Sequence, residues 1–285
     1  MQKIVALLNQ NAGSVPRDGA DALSDHLSDI GRSAEIMPFE AGELTAKLDE
    51  AISMSPDCLI VWGGDGSINC ALSACGPEGP PVLALPGGTM NMVHQRLHDG
   101  LTDWKDILAS ALSKPEIVPW AAGEIDGHSF YVAVMVGRLT TLSESRELVR
   151  KGALLEALGA AAKNEVFDME TRLKLSSRFA ARTITTAATA GAIILGGERR
   201  PRFDVAAIDP GSQLDLVSVG FQSLINGWRD AEDVTVEIAT SVCLEDDHGE
   251  PIPSTIDGEP YELPPVCEFR LIPKSARVIR ARADP

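Results

Sequence analysis

No apolar run in this 285-residue chain approaches the length of a membrane-spanning helix. The apolar residues near the start, Ile4 to Leu8, are too few for the hydrophobic region of a secretory signal, so a cytoplasmic protein is expected. Positive charge is scarce as well: 25 Lys and Arg stand against 41 Asp and Glu, a net charge of −16. Such a chain repels nucleic-acid phosphate and anionic bilayers alike, which removes nucleic acid as a partner and requires any membrane contact to be local and mostly apolar. The five cysteines, Cys58, Cys70, Cys75, Cys243 and Cys267, are odd in number and contain no CxxC pair. Most of them read as small buried hydrophobes, and a reducing compartment fits. Internal repeats and low-complexity segments are also missing. What is present, 44% hydrophobic and 23% charged residues, is the composition of a globular protein long enough for one large or two ordinary domains.

The stretch around which the chain is organised is Val61-Trp62-Gly63-Gly64-Asp65-Gly66-Ser67. It follows the apolar run Cys58-Leu59-Ile60-Val61, a buried strand by pattern, and precedes a helical pattern that opens near Ser67, a candidate N-cap. Three glycines between a strand end and a helix start let backbone N–H groups approach a phosphate with no Cβ in the way. Asp65 would repel that phosphate unless a cation intervenes, which points to a Mg²⁺-dependent nucleotide site. A second loop of the same kind follows the strand Val82-Leu83-Ala84-Leu85: Pro86-Gly87-Gly88-Thr89, with Met90-Asn91-Met92-Val93 opening the next helix. Two such units close in sequence bring their loops to one carboxyl edge of a parallel sheet. The alternative is a pair of structural turns.

The first hundred residues alternate strand and helix. Ile4 to Leu8 is a strand, and Asn9 at its end is placed either to contact a ligand or simply to form a turn. Leu23, Leu27 and Ile30 mark a helix, 34–37 a strand, and Leu44, Leu48, Ala51 and Ile52 another helix. This order argues for a parallel sheet covered by helices. A helix over Trp104 to Leu112 closes it at Lys114-Pro115. Beyond Pro119 the pattern changes to short strand-like runs at 130–136, 172–175, 182–189, 192–195, 203–208, 214–219, 233–239 and 268–272, with one long helical pattern over 147–163. This reads as a largely antiparallel sandwich. The expected domains are therefore residues 1–118 and 119–285, with the last residues free to return to the first domain. Late in the chain, Ser254-Thr255-Ile256-Asp257-Gly258-Glu259 puts two carboxylates two residues apart. In an extended segment they point to one side and suit a metal ion or a general base. The other reading, which spacing alone favours, is a solvated Asp-Gly hairpin turn.

Together these stretches resemble the diacylglycerol kinase catalytic-domain family, in particular its soluble bacterial lipid-kinase members. The matching pieces are Asn9 with Ala12-Gly13-Ser14, Gly63-Gly64-Asp65-Gly66-Ser67, Pro86-Gly87-Gly88-Thr89 with Asn91, and Asp257-Gly258-Glu259, with 146–152 also alike. The first glycine loop is shared with NAD kinases; its combination with the second loop and the Asp-Gly-Glu stretch is more specific. The resemblance implies a Rossmann-like nucleotide-binding domain of the NAD kinase and diacylglycerol kinase type followed by a β-sandwich domain. It implies ATP and Mg²⁺ as cofactors and transfer of the γ-phosphoryl group to a lipid hydroxyl, diacylglycerol-like or sphingoid, within phospholipid metabolism. By position, Asn9, Gly63, Gly64, Asp65, Gly66, Ser67, Gly88, Thr89 and Asn91 would line the nucleotide site. Asp257 would be the general base, Glu259 and Asp65 its catalytic companions, and Asp65, Glu259 and Asp215 the metal ligands. The partner implied is a lipid substrate met by transient membrane contact. Leu154, Leu155 and Leu158 beside Arg146, Arg150 and Lys151 are a candidate for that contact, although a stripe of this kind reads by default as core, and the oligomeric state, a homodimer included, stays open. The chain departs from the family at Ser67 for Thr, Cys70 for Glu, Met90 and Met92 in the second loop, and in 210–215, which lacks one acidic residue of a metal site. Two other readings stay open: a kinase of the NAD kinase type acting on a soluble substrate, and a nucleotide- or lipid-binding relative without catalysis.

Overall fold

The computed structural model describes residues 2–40, 42–98, 100–137, 173–197, 200–208 and 234–282. The helical pattern at 147–163, the candidate leucines and basic residues of its apolar stripe, the strand expected at 214–219 and Asp215 all lie outside the described residues. The chain divides into two compact units, one running to Ala122 and taking in the chain again from Ile272, the other spanning Gly123–Leu271. The division falls a few residues beyond the expected 118/119, within one strand, Glu116–Ile125, that runs without a break through both points.

The first unit is built on β1 (Ile4–Asn9), α1 (Gly19–Asp29), β2 (Glu35–Phe39), α2 (Leu44–Ser53), β3 (Cys58–Gly63), α3 (Asp65–Cys75), β4 (Val82–Pro86), α4 (Met92–Leu97) and α5 (Trp104–Ser113). Its strands run parallel in the order β2-β1-β3-β4, and the end of the chain's last strand pairs parallel with β4 through Val278 and Val82. β1, β3 and β4 are apolar along nearly their whole length because both faces of a parallel sheet are covered. One face carries Ile4, Ala6, Leu8, Cys58, Ile60, Trp62, Leu83 and Leu85 against Leu23 and Leu27 of α1 and Ile107, Leu108 and Leu112 of α5. Trp62 is fully buried there, packs 4.5 Å from the Trp104 ring, and donates its indole N–H to the carbonyl of Pro86 at 3.0 Å. The helices α2, α3 and α4 cover the other face.

The second unit is antiparallel. After β5 (Glu116–Ile125) and β6 (His128–Phe130), one sheet takes the order β12-β11-β10-β7-β14-β15 from β7 (Ala133–Gly137), β10 (Ala190–Gly196), β11 (Arg202–Ile208), β12 (Val234–Ala239), β14 (Ile252–Ile256) and β15 (Glu259–Leu263). A second antiparallel set joins β16 (Val266–Arg280), β13 (Ser241–Asp246), β8 (Leu173–Phe179) and β9 (Arg182–Ala188). Phe130 stacks on Phe203 at 5.8 Å and meets Phe269 edge-on at 6.2 Å, so the two sheets share an aromatic core. The expected α/β architecture, a parallel first domain followed by an antiparallel sandwich, is thus the observed one. Among the described residues no helix is long and apolar enough to cross a membrane.

Replacing Trp62 with Ala removes the largest side chain buried between β3 and α5 and leaves a cavity. The variant is expected to lose about 3–5 kcal/mol of stability, read as the shift in a urea unfolding midpoint.

Candidate active site

Three strand ends share one edge of the parallel sheet. Asn9 closes β1, Gly63 closes β3 and Pro86 closes β4, with Leu8 opposite Trp62 and Gly63 opposite Pro86 in register. The two glycine loops therefore leave the sheet side by side. The N–H of Gly87 donates to the carbonyl of Gly63 at 3.0 Å, and Ser14 ties the loop after β1 to the same place through Gly87 and Gly88 carbonyls at 2.9 and 3.1 Å. A Cβ on Gly88 would lie 2.7 Å from the Cα of Gly64, and one on Gly87 would lie 2.8 Å from the Cα of Gly63. These glycines let one backbone rest on another.

Gly66 is different. It is exposed, it lies in the first turn of α3, and a Cβ there would meet nothing within 4 Å. Its φ is not positive either, so neither fold nor packing calls for glycine at this helical position. The N-cap of α3 lies three residues earlier than the sequence suggests: it is Gly64, and no side chain caps the helix. Ser67 is thus not the cap. It sits inside the first turn, 8% exposed, and its hydroxyl oxygen accepts from the Asn9 amide at 3.3 Å. An eleven-residue helix then presents uncapped N–H groups beside an unobstructed glycine, an arrangement that attracts anions.

Two of the remaining polar residues of the loops, Asp65 and Asn91, turn their side chains onto neighbouring backbone. The Asp65 carboxylate accepts from the N–H of Val93 at 3.0 Å and so caps α4, which follows the second loop. Burial pushes its pKa up, while the amides of Val93, Met92 and Asn91 pull it down. Asn91 takes the left-handed conformation, φ 49°, and its side chain clamps Gly88 from both sides, accepting from its N–H at 2.8 Å and donating to its carbonyl at 2.9 Å. Both residues hold the loops in shape. Thr89, by contrast, is exposed at the tip of the second loop. Among the described residues no group of three or more His, Cys, Asp or Glu side chains could hold a metal ion.

Sequence reasoning missed two histidines, His94 on α4 and His98 at its C-cap. His94 is 1% exposed and neither of its ring nitrogens has a partner. His98, one turn on with its ring 5.1 Å away, is fully satisfied: Nδ1 accepts from the N–H of Ala281 at 3.1 Å and Nε2 meets the carbonyl of Ala84 at 2.9 Å. His98 thereby fixes the neutral imidazole with the proton on Nε2, and it fastens α4 to β4 and to the chain beyond β16. Burial pushes both rings down to about 4, with the His94–His98 and Arg280 neighbours adding to the fall at His98. The signal in the sequence was their spacing, four residues apart in a chain with five histidines.

In the second unit, Asp257 and Gly258 are the two central residues of the hairpin between β14 and β15, with φ of 47° and 85°. Positive φ at both is the type I′ turn that an Asp-Gly pair forms. Of the two readings of this stretch, the hairpin turn that spacing favours is the observed one, with Asp257 buried instead of solvated, and the extended segment with both carboxylates on one side is not, because the chain reverses between them. Asp257 is 7% exposed, and its carboxylate accepts from the N–H groups of Tyr131, Val132 and Ala133 at 2.7, 2.9 and 2.9 Å. Glu259 is exposed at the start of β15.

Residues 3–121 match the model of the diacylglycerol kinase catalytic domain. That stretch holds both glycine loops, and it belongs to the diacylglycerol kinase catalytic-domain family, a family of kinases. Solved structures resemble the whole chain. A diacylglycerol kinase of Bacillus anthracis str. Sterne superposes with a TM-score of 0.67 at 17% identity, covering 97% of this chain and 96% of that one. A second protein of that strain, also named after diacylglycerol kinase, gives 0.70 at 20% identity over 97% and 96%. At these identities the likeness is one of fold.

Two outcomes follow from this geometry. Gly66→Ala should leave the protein as stable as the parent or up to about 1 kcal/mol more so, since alanine suits a helix and meets no neighbour, whereas Gly88→Ala should lower the melting temperature by forcing the loops apart. Acid should also weaken the fold. Both histidines bind protons less readily folded than unfolded, so stability is full above about 6.5 and is lost as pH falls toward about 4. Urea midpoints measured across that window should fall more steeply in the parent than in His94→Leu.

Proposed function

We propose that the chain transfers the γ-phosphoryl group of ATP to the hydroxyl of a lipid, diacylglycerol-like or sphingoid. The observation that carries this reading is the bare, uncapped start of α3 at Gly66, framed by two glycine loops in a domain of the diacylglycerol kinase catalytic family. The α3 amides and the exposed Thr89 hydroxyl suit the oxygens of a triphosphate, and Gly66 leaves room for them to approach. Asn9, Gly63, Gly64, Ser67, Gly88 and Asn91 support that edge by holding its backbone. The donor set fits a metal ion that arrives on the phosphates and not one caged by protein, because Asp65 spends its carboxylate on the N–H of Val93. Bound in that way, Mg²⁺ neutralises charge on the transferring group.

In this reading Asp257 takes the proton of the attacking hydroxyl. Its three amide donors fix the orientation of the carboxylate, which is what a positioned base requires. The exposed Glu259 lies next to that turn and assists. The acceptor is met at a bilayer by transient contact.

The test is incubation of the purified full chain with Mg²⁺, labelled ATP and a detergent-dispersed lipid panel. Phosphorylated lipid is the expected product, and formation of NADP from NAD with no lipid product would overturn the assignment. Gly66→Ala should weaken ATP binding at least tenfold in titration calorimetry while the melting temperature stays at or above the parent's. Asp257→Asn should lower turnover about 10²–10⁴-fold. A variant that binds ATP and turns over like the parent would remove Asp257 as the base.

A further inference from the structure

The second unit carries a local inversion of the chain's charge. The hairpin joining β8 and β9 ends in Arg178-Phe179-Ala180-Ala181-Arg182, with Phe179 paired to Arg182 across a two-residue turn. Such turns normally use Asn-Gly or Asp-Gly because they need positive φ. Here Ala180 takes φ 53°, a conformation that side chains with a Cβ rarely adopt, and the tip stays apolar and uncharged. Phe179 is 42% exposed beyond it.

Residues of both sheets lie close to this hairpin end. The Arg178 carbonyl accepts from the N–H of Thr240 at 2.8 Å, and Ile238, two residues before Thr240, is 44% exposed. Ser241 stands between Arg178 and Arg270 in register, which adds a third arginine. The acids nearby are Glu268, which Arg270 grips at 2.9 Å and Arg178 meets at 3.8 Å, and Glu237 beside Ile238. Arg182 is exposed and makes no ion pair among the described residues. Three arginines thus face two acids, around two exposed apolar side chains, in a chain of net charge −16.

We infer that this hairpin end is a docking surface for an anionic lipid bilayer. A bilayer is the occupant because the apolar tip suits the headgroup–acyl boundary while the arginines pair with lipid phosphate. An acidic protein can approach an anionic membrane only through such a patch, and the choice of occupant rests on the lipid acceptor proposed above. The contact is weak and reversible, as one phenylalanine and a few arginines permit.

The experiment is co-sedimentation of the full chain with vesicles of phosphatidylcholine alone and of phosphatidylcholine with phosphatidylglycerol. Binding is expected to the anionic vesicles only, falling with added salt. Phe179→Ser and Arg182→Glu should each weaken it about fivefold or more, the equivalent of about 1 kcal/mol for an arginine at the surface. Arg182→Glu changes an exposed side chain with no ion pair among the described residues, and so decides the matter even if Phe179→Ser folds poorly. Equal binding by parent and variants, or no preference for anionic vesicles, would overturn the proposal. So would a dimer in solution that Phe179→Ser dissolves without vesicle binding, since the tip would then serve a second copy. Lipid phosphorylation in detergent with no vesicle binding would sink the docking surface and leave the kinase reading intact; vesicle binding lost in the variants, with no phosphorylated lipid, would do the reverse.

Discussion

Backbone rests on backbone where β3 and β4 leave the sheet, and the first unit's functional edge depends on that contact. Gly64 and Gly88 approach so closely that a single Cβ at Gly88 would lie 2.7 Å from its neighbour's Cα. The contact fixes where α3 and α4 begin. Asp65 then caps α4 across the gap, Asn91 clamps the second loop, and Asn9 braces the first turn of α3 through Ser67. Polar side chains are consumed in holding this frame. What they leave exposed is backbone N–H, an unobstructed glycine and a threonine hydroxyl, which is the surface a phosphate would need.

The second unit follows a different logic. Its Asp257 is buried under three amide donors at a tight turn, so the same carboxylate that the proposed chemistry would use also ties the β14–β15 hairpin to the start of β7. A group with both tasks makes stability and turnover fall together when it is replaced, and they must be measured separately to be told apart. Charge is distributed unevenly in this unit as well. A chain that is acidic overall gathers arginines at one hairpin end and spends an alanine at positive φ to keep that end apolar.

Much of this was legible in the sequence because it rests on local pattern. Apolar runs closed by a polar turn after β1 and by glycine loops after β3 and β4 made these strands and both loops readable, since a strand buried on two faces has no other composition available. The Asp-Gly pair at 257 was readable as a turn, and it is one. Less legible were side-chain directions. Whether Asp65 looks outward or caps α4 depends on where α4 lies, and Ser67 lost its cap role because the N-cap is Gly64, three residues sooner. The strands β13, β14 and β15 escaped notice: they are short, mixed in polarity, and Pro253 and Pro260 interrupt the pattern that marks a strand. His94 and His98 carry no motif, and only packing reveals that one is satisfied and the other has no partner.

The claim on which the account turns is that the start of α3, opened by two glycine loops in contact, grips phosphate. Backbone amide spectra of the ¹⁵N-labelled chain, titrated with ATP and Mg²⁺, address it directly. The account predicts that the N–H signals of Gly64, Gly66 and Thr89 move first and furthest, while those at the opposite edge of the sheet, such as Asp57, stay in place. Saturating nucleotide that leaves the Gly66 amide unmoved would contradict it.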